Sequence, residues 1–363
     1  MIIKKRRNTM NKRTKNLSII LMSFMILGLL MGCTNNSEKA STGETSVEKS
    51  EDFKIVVTDH LGRTVELPKA AEKIVGTHNP SMNMAVVVDG GGTKIAGFGK
   101  KDKAFGLYDE IAPEINDVTQ IGKGKEINME TVLTVKPDLV LLPVRFKDQI
   151  QQFTDIGVSC IALEVEKFDS IKDALTIVGQ ALGNEERAEE IISLFDQKIN
   201  KITNLAEQVA DKPSVIMLSG SSKTQVSTDA MLQNQIIKTA GGTNVTEGFQ
   251  SDELWTEVNI EQIIKWNPEI IYIPSYADYT VEDILNDSEW SNISAVQNKK
   301  VYVFPSSLEP WDYPTASASL GLCWAFNNMH PDLYSNNDLI TDVDEYYQSV
   351  YGTTFSAEKL GLN

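Results

Sequence analysis

The chain is poor in the side chains that bind transition metals most strongly: its 363 residues include 3 histidines and 3 cysteines. A centre that captures bare zinc or manganese through clustered imidazoles or thiolates is therefore not expected. Nor can so few cysteines build a disulfide framework. Catalytic signatures are missing as well. No G-x-S-x-G, G-x-x-x-x-G-K-[ST] or G-x-G-x-x-G occurs, and Gly97-Phe-Gly99 stops short of the last, so neither a nucleophile elbow nor a phosphate cradle is indicated. Positive charge is in deficit. Against 34 Lys and Arg stand 50 Asp and Glu, for a net charge of −16, which argues against nucleic acid as a partner. What remains, at 41% apolar and 7% aromatic residues, is the composition of a soluble globular chain long enough for two domains with real cores.

A basic, acid-free start is the exception to the acidic balance. Lys4, Lys5, Arg6, Arg7, Lys12, Arg13 and Lys15 precede an apolar run from Leu17 to Gly32 that is too short for a comfortable membrane span. Residues 1–32 therefore read as a signal peptide. The run ends Leu30-Met31-Gly32-Cys33, which resembles the lipobox of bacterial lipoproteins. That resemblance implies cleavage before Cys33, a diacylglyceryl group on its sulfur, and anchoring at the outer face of the cytoplasmic membrane. A plain signal peptide or a single-pass anchor is the alternative. Residues 33–52 form the lipidated cysteine and a Ser/Thr/Glu/Lys-rich tether without apolar period. Loss of the leader takes the net charge from −16 to −23. Of the remaining cysteines, Cys160 lies in an apolar strand and Cys323 in a helix-like stretch; both read as buried thiols, a single bridge being the alternative.

A repeat gives the architecture. Asn128-Met-Glu-Thr-Val-Leu-Thr-Val-Lys-Pro-Asp-Leu-Val-Leu-Leu-Pro143 recurs, reworded, as Asn259-Ile-Glu-Gln-Ile-Ile-Lys-Trp-Asn-Pro-Glu-Ile-Ile-Tyr-Ile-Pro274. Each copy reads as a helix capped by asparagine, a proline stop and a buried strand. Around the first copy, strands at 73–77, 94–98 and 158–165 alternate with helices, following a hairpin across Asp59-His-Leu-Gly62. Around the second, strands at 214–218 and 300–304 do the same. Such alternation means parallel sheets flanked by helices. Between the copies, Ala188, Ile191, Ile192, Leu194, Phe195, Ile199, Ile202 and Leu205 recur at helical spacing, so a helix of about 25 residues and roughly 37 Å joins the halves. The expected fold is α/β, two Rossmann-like lobes joined by one long rigid helix. The boundaries are 53–184, 185–210 and 211–363, the last with C-terminal helices at 316–329 and 342–351.

Two such lobes, one connecting helix, the lipobox and the repeated phrase together resemble the helix-backbone (class III) solute-binding lipoproteins of ABC importers for ferric siderophores, haem and cobalamin. Asp59-His-Leu-Gly-Arg-Thr-Val-Glu-Leu-Pro68, Gly241-Gly-Thr-Asn244 and Asn298-Lys-Lys-Val-Tyr-Val-Phe-Pro305 match the family's pattern too, and the resemblance covers roughly residues 53–330. The tail, Pro314-Thr-Ala-Ser-Ala-Ser-Leu-Gly-Leu-Cys-Trp324 with His330-Pro-Asp-Leu-Tyr334, is similar to the subgroup that binds molybdate and tungstate. The resemblance implies a monomeric binding protein, not an enzyme, with no resident cofactor and no metal site of its own. Its partners would be a small-molecule ligand and an ABC permease, and it would touch the membrane through the lipid alone. The ligand would be a chelated metal, ferric siderophore first and corrinoid or haem second, with an oxyanion as the alternative.

Ligands of open α/β sheets sit beyond the carboxyl ends of the strands, and those ends supply the candidate residues. The first lobe offers His78, Asn79 and Ser81 after strand 73–77, Lys100 after Phe98, and Arg145 after Pro143. The second offers Ser219 to Lys223, Tyr276 after Pro274, and Trp311 and Tyr313 after Pro305, with Trp255 close by. Arg145 suits bidentate grip of an anion, or pairs with a nearby carboxylate. The aromatics suit a flat chelate, or simply pack. His78 can ligate iron or donate to an oxyanion, and Ser81, or else Asn79, is expected to cap the following helix. Ferric-siderophore capture would call for several bases in the cleft, for which Arg145, Lys100 and Lys223 are the candidates, and corrinoid or haem capture for an aromatic-lined, mostly neutral one. The resemblance further implies an acidic docking residue on each lobe: Asp148 on the first, Glu282 or Asp283 on the second.

Overall fold

The computed structural model describes residues 54–99, 105–123, 126–249, 251 and 253–362; the leader, Cys33, the tether and Lys100 lie outside them. The first lobe runs β1 (Ile55–Thr58), β2 (Thr64–Leu67), β3 (Ile74–Gly76), α1 (Asn79–Asp89), β4 (Ile95–Phe98), α2 (Leu107–Ile111), β5 (Thr119–Gln120), β6 (Gly122–Lys123), β7 (Glu126–Ile127), α3 (Met129–Val135), β8 (Leu139–Pro143), α4 (Ile150–Asp155), β9 (Ser159–Leu163) and α5 (Phe168–Leu182). After α6 (Glu185–Ala206) come β10 (Ser214–Met217), β11 (Gln225–Ser227), α7 (Leu232–Thr239), β12 (Thr243–Asn244), β13 (Trp255–Glu257), α8 (Ile260–Trp266), β14 (Ile270–Pro274), α9 (Val281–Leu285), α10 (Ser294–Gln297), β15 (Val301–Phe304), α11 (Ala318–Met329), α12 (Asn336–Tyr351) and α13 (Ala357–Leu360).

Both copies of the repeat fold alike. Asn128 Oδ1 accepts the Thr131 amide at 3.0 Å to start α3, and Asn259 Oδ1 accepts the Gln262 amide at 2.9 Å to start α8. Each helix ends on a left-handed residue, Lys136 (φ 51°) or Asn267 (φ 46°). The turn itself stops the helix, and the proline that follows cannot resume it. The strands behind, β8 and β14, are buried along their whole length, as expected where helices cover both faces of a parallel sheet.

Strand order locates the site. The first sheet reads β5-β4-β3-β8-β9 and the second β12-β10-β14-β15, all pairs parallel. The chain leaves the middle of each sheet in one direction and later returns to extend it in the other. The reversals fall between β3 and β8 and between β10 and β14, and a crevice opens at such a switch point beyond the strand ends.

Helix α6 spans 22 residues, about 33 Å at 1.5 Å per residue. Its buried stripe (Ala188, Ile191, Leu194, Phe195, Ile202) lies in one apolar cluster with Val86 of α1, Leu175 of α5, Ile236 of α7, Phe326 of α11 and Tyr347 of α12. The two lobes thus share their inner core and keep separate outer ones, around Val140 and Phe153 in the first and Ile271 and Trp290 in the second. One buried cation interrupts the stripe. Lys198 Nζ lies 2.8 Å from Asp342 Oδ1 and also pairs with Glu345, while Lys201 Nζ reaches Asp342 Oδ2 at 2.6 Å. This network ties the connecting helix to α12. Cys160 and Cys323 are free and buried, as their apolar settings indicated.

Candidate functional site

A cavity of about 530 Å³ lies between the two switch points, within the range for small-molecule sites. His78 and Asn79 enter it from the end of β3, Arg145 and Phe146 from the end of β8, Ser219 to Ser221 from the end of β10, and Tyr276 from the end of β14. Trp255 reaches it because β13 pairs antiparallel with β11, Ser227 opposite Trp255. Tyr313 completes the aromatic wall.

Packing fixes that wall. The Tyr276 and Tyr313 rings meet edge to face at 5.1 Å, and Phe105 approaches both from the first lobe, at 5.8 and 5.4 Å. Tyr276 donates its hydroxyl to Asp312 Oδ2 at 2.8 Å. Asp312 is fully buried, and burial pushes its carboxyl up to about 6 against the pull of Tyr276 and Gln233. Gln233, on α7, donates to the Asp312 carbonyl at 2.9 Å and leaves its buried Oε1 without a protein partner. Opposite, Ser81 Oγ lies 2.9 Å from His78 Nδ1, while the buried Nε2 has no protein partner. Burial, helped by Arg145, holds the His78 ring well below its usual pKa, so a neutral imidazole faces the cavity. Ser219 and Ser221 both donate to Gln225 Oε1, at 2.7 and 3.0 Å.

Arg145 is 45% exposed and lies over the Phe146 ring at 5.2 Å. Its nearest acid is Glu166, 3.8 Å away and only 17% exposed. Burial raises the Glu166 carboxyl above its ordinary value, an effect that Arg145 partly opposes.

Of the residues expected at the site, His78, Asn79, Arg145, Trp255, Tyr276 and Tyr313 line the cavity. Trp311 does not. It is fully buried on the far side of its segment, where its indole N–H donates to Tyr347 Oη at 3.0 Å. Ser81 is inside α1 and turned onto His78, neither lining the cavity nor capping the helix. His78 occupies the cap position, and Pro80 in the first turn sets where the helix starts. Lys223 is spent on Asp287 at 2.7 Å. Among the described residues Arg145 is the only cation lining the cavity, so the several bases expected for a ferric siderophore are not found there, and the lining is nearer the aromatic, mostly neutral one expected for a corrinoid or haem. Glu166 and Gln233 are among the lining residues that were not expected. Glu166 follows β9 just as Arg145 follows β8, so the strand-end rule would have reached it. Gln233 sits on a helix and carries no such signal.

Of the acids expected on the lobe tops, Asp148 is exposed in the single turn that follows β8. Glu282 and Asp283 are exposed at the start of α9, but Asp283 is bonded to Thr280 in a capping box. Among the described residues no group of three His, Cys, Asp or Glu is placed to hold a metal ion, and no helix is long and apolar enough to cross a membrane.

Residues 74–308, from β3 to just past β15, match the family described as periplasmic binding protein. The chain belongs to that family. It is 25% identical to the molybdate-binding protein MolA of Haemophilus influenzae, across 84% of this chain and 92% of that protein. It is equally 25% identical to the Fe(3+)-citrate-binding protein YfmC of Bacillus subtilis, across 79% and 89%. A solved structure of MolA bound to molybdate superposes with a TM-score of 0.74 at 23% identity, covering 83% of this chain and 99% of that one. The family is one of binding proteins, which agrees with the expectation that this chain is not an enzyme. Two lobes built on parallel sheets are the architecture these structures share with it.

Proposed function

We infer that this periplasmic binding protein is the solute-capturing component of an ABC importer and that its cleft takes a metal chelate of low net charge. The observation that carries this reading is the lining: an aromatic wall of Trp255, Tyr276 and Tyr313 with Arg145 as the single described cation, held opposite Glu166. Aromatic faces stack on flat or apolar ligand edges, and unpartnered His78 Nε2 and Gln233 Oε1 await polar groups of the ligand or its metal. An uncharged ferric siderophore or a corrinoid fits this lining better than a polyanion does. The second reading is an oxyanion, favoured by the similarity to MolA and met by Arg145.

A ligand panel separates the two. Purified protein is titrated with ferrichrome, cyanocobalamin, haem, ferric citrate and molybdate, following tryptophan fluorescence and melting temperature. Ligand at a hundredfold excess over Kd stabilises the fold by about 2.7 kcal/mol. The expected result is such a shift with one of the uncharged chelates. A shift with molybdate alone overturns the first reading in favour of the second.

The same reading makes residues 53–184 and 211–363 the two lobes, with the connecting segment 185–210 between them as a stiff hinge that closes little on binding. It makes Cys33 a lipidated anchor after removal of residues 1–32. Cys33→Ser should then move the protein from the membrane fraction to the soluble one; retention on the membrane would dismiss the lipid. Asp148 and Glu282 are the proposed contacts to the permease, since Asp283 is committed to its own helix start.

A further inference from the structure

Three charged side chains line the cavity among the described residues: Arg145 and Glu166 from the first lobe and Asp278 from the second. Asp278 is exposed, so water screens it. Arg145 and Glu166 follow the neighbouring strands β8 and β9, which places their charges side by side. The gap of 3.8 Å between guanidinium and carboxylate is an ion-pair distance but too long for a hydrogen bond. Arg145 therefore keeps its donors for another partner while feeling a negative charge beside it. The Phe146 ring lies beneath the guanidinium, 5.2 Å away.

The geometry points to Glu166 as the residue that selects ligand charge: by standing in the field of Arg145, it favours a chelate of zero or low net charge over a polyanion. This inference rests on the reading of the cavity as a ligand site, and it deepens that reading. A ligand that fills the cleft strips water from both groups. Under an uncharged ligand the pair remains intact, each charge neutralising the other. Under a polyanion Arg145 gains a second partner, but Glu166 is left covered beside a like charge, which is costly where water is excluded. Asp278 adds to that cost from the opposite lobe.

Glu166→Gln keeps the shape and removes the charge. The full chain and the variant are titrated near neutral pH with two ferric chelates, uncharged ferrichrome and anionic ferric citrate, and with molybdate. The variant should bind one of the anions about tenfold more tightly while its affinity for ferrichrome moves less than about threefold. Arg145→Gln should weaken the anions, and the double variant should restore the wild-type ratio of anion to ferrichrome affinity. A ratio unchanged by Glu166→Gln overturns the charge-selecting role and leaves the cleft reading standing. If no probe binds either protein, the reading of the cleft falls and this inference with it.

Discussion

Gly220 lines the cavity beside the Tyr276 ring. A Cβ placed there would lie 2.8 Å from Cδ2 and Cε2 of the Tyr276 ring, closer than packed atoms tolerate, so an alanine would push the ring off its seat. Moving the ring would also break its hydroxyl bond to Asp312. Gly220→Ala should lower ligand affinity about tenfold, or 1.4 kcal/mol, and cost roughly 1–3 kcal/mol of stability as an overpacked site. Titration and melting of the variant check both. Unchanged affinity would mean that Tyr276 is not part of the binding wall. At this scale the sequence was legible where a residue follows a strand directly. His78, Asn79, Arg145 and Tyr276 were found that way. It was not legible at Trp311 and Tyr313, two aromatics in an irregular segment with no period to say which faces the core. Trp311 went inward because Tyr347 offers its indole N–H a buried acceptor.

Among elements, the repeat was the most readable feature, since a capping asparagine, an apolar helix face and a following buried strand each leave a local mark. The long helix was readable for the same reason: its apolar spacing persisted over many turns. It ends at Ala206, short of the expected boundary at 210, because helix ends fray into looser turns. Between β8 and α4 the chain first makes a tighter 3-10 segment, Val144–Gln149. That turn and α9 follow matching strands of the two lobes, so Asp148 and Glu282 present carboxylates at related places. Charge reversal of both, Asp148→Lys with Glu282→Lys, should cut ligand uptake by cells at least about tenfold if these contacts steer docking, with ligand affinity in solution unchanged. Normal uptake by the double variant would remove these two acids from the docking surface.

Across the whole molecule, buried charge makes stability depend on pH from both sides. Glu309 is buried and donates nothing while charged; it accepts from Tyr347 Oη at 2.9 Å, and burial pushes its carboxyl up to about 7 from 4.5. Asp312 is raised to about 6 from 3.8, again by burial. Both bind a proton more tightly folded than unfolded. Their contribution is complete below about pH 4 and is lost as pH rises through 6 and 7. Asp342 has the opposite sign. Burial alone would raise it, but hydrogen bonds from Lys198, Lys201 and Tyr334 outweigh that and hold it below its ordinary value. Its contribution is present above that value and is lost in stronger acid. For these groups the melting temperature should therefore peak near pH 4 and fall steadily toward pH 8. Glu309→Gln should flatten the alkaline side of that curve; an unaltered slope would show that Glu309 carries no such linkage. None of this was legible beforehand, because a carboxylate's burial is decided by distant segments.

The shared inner core also has a consequence in time. It includes Val57, a few residues into the described chain, and Leu360, a few residues from its end, together with Tyr346 and Val350 of α12. A polypeptide made from its N-terminus onward cannot seal such a core until α12 and Leu360 are available. A nascent chain that stops short of α12 and Leu360 leaves this core without those apolar members, so folding of the core waits on that segment.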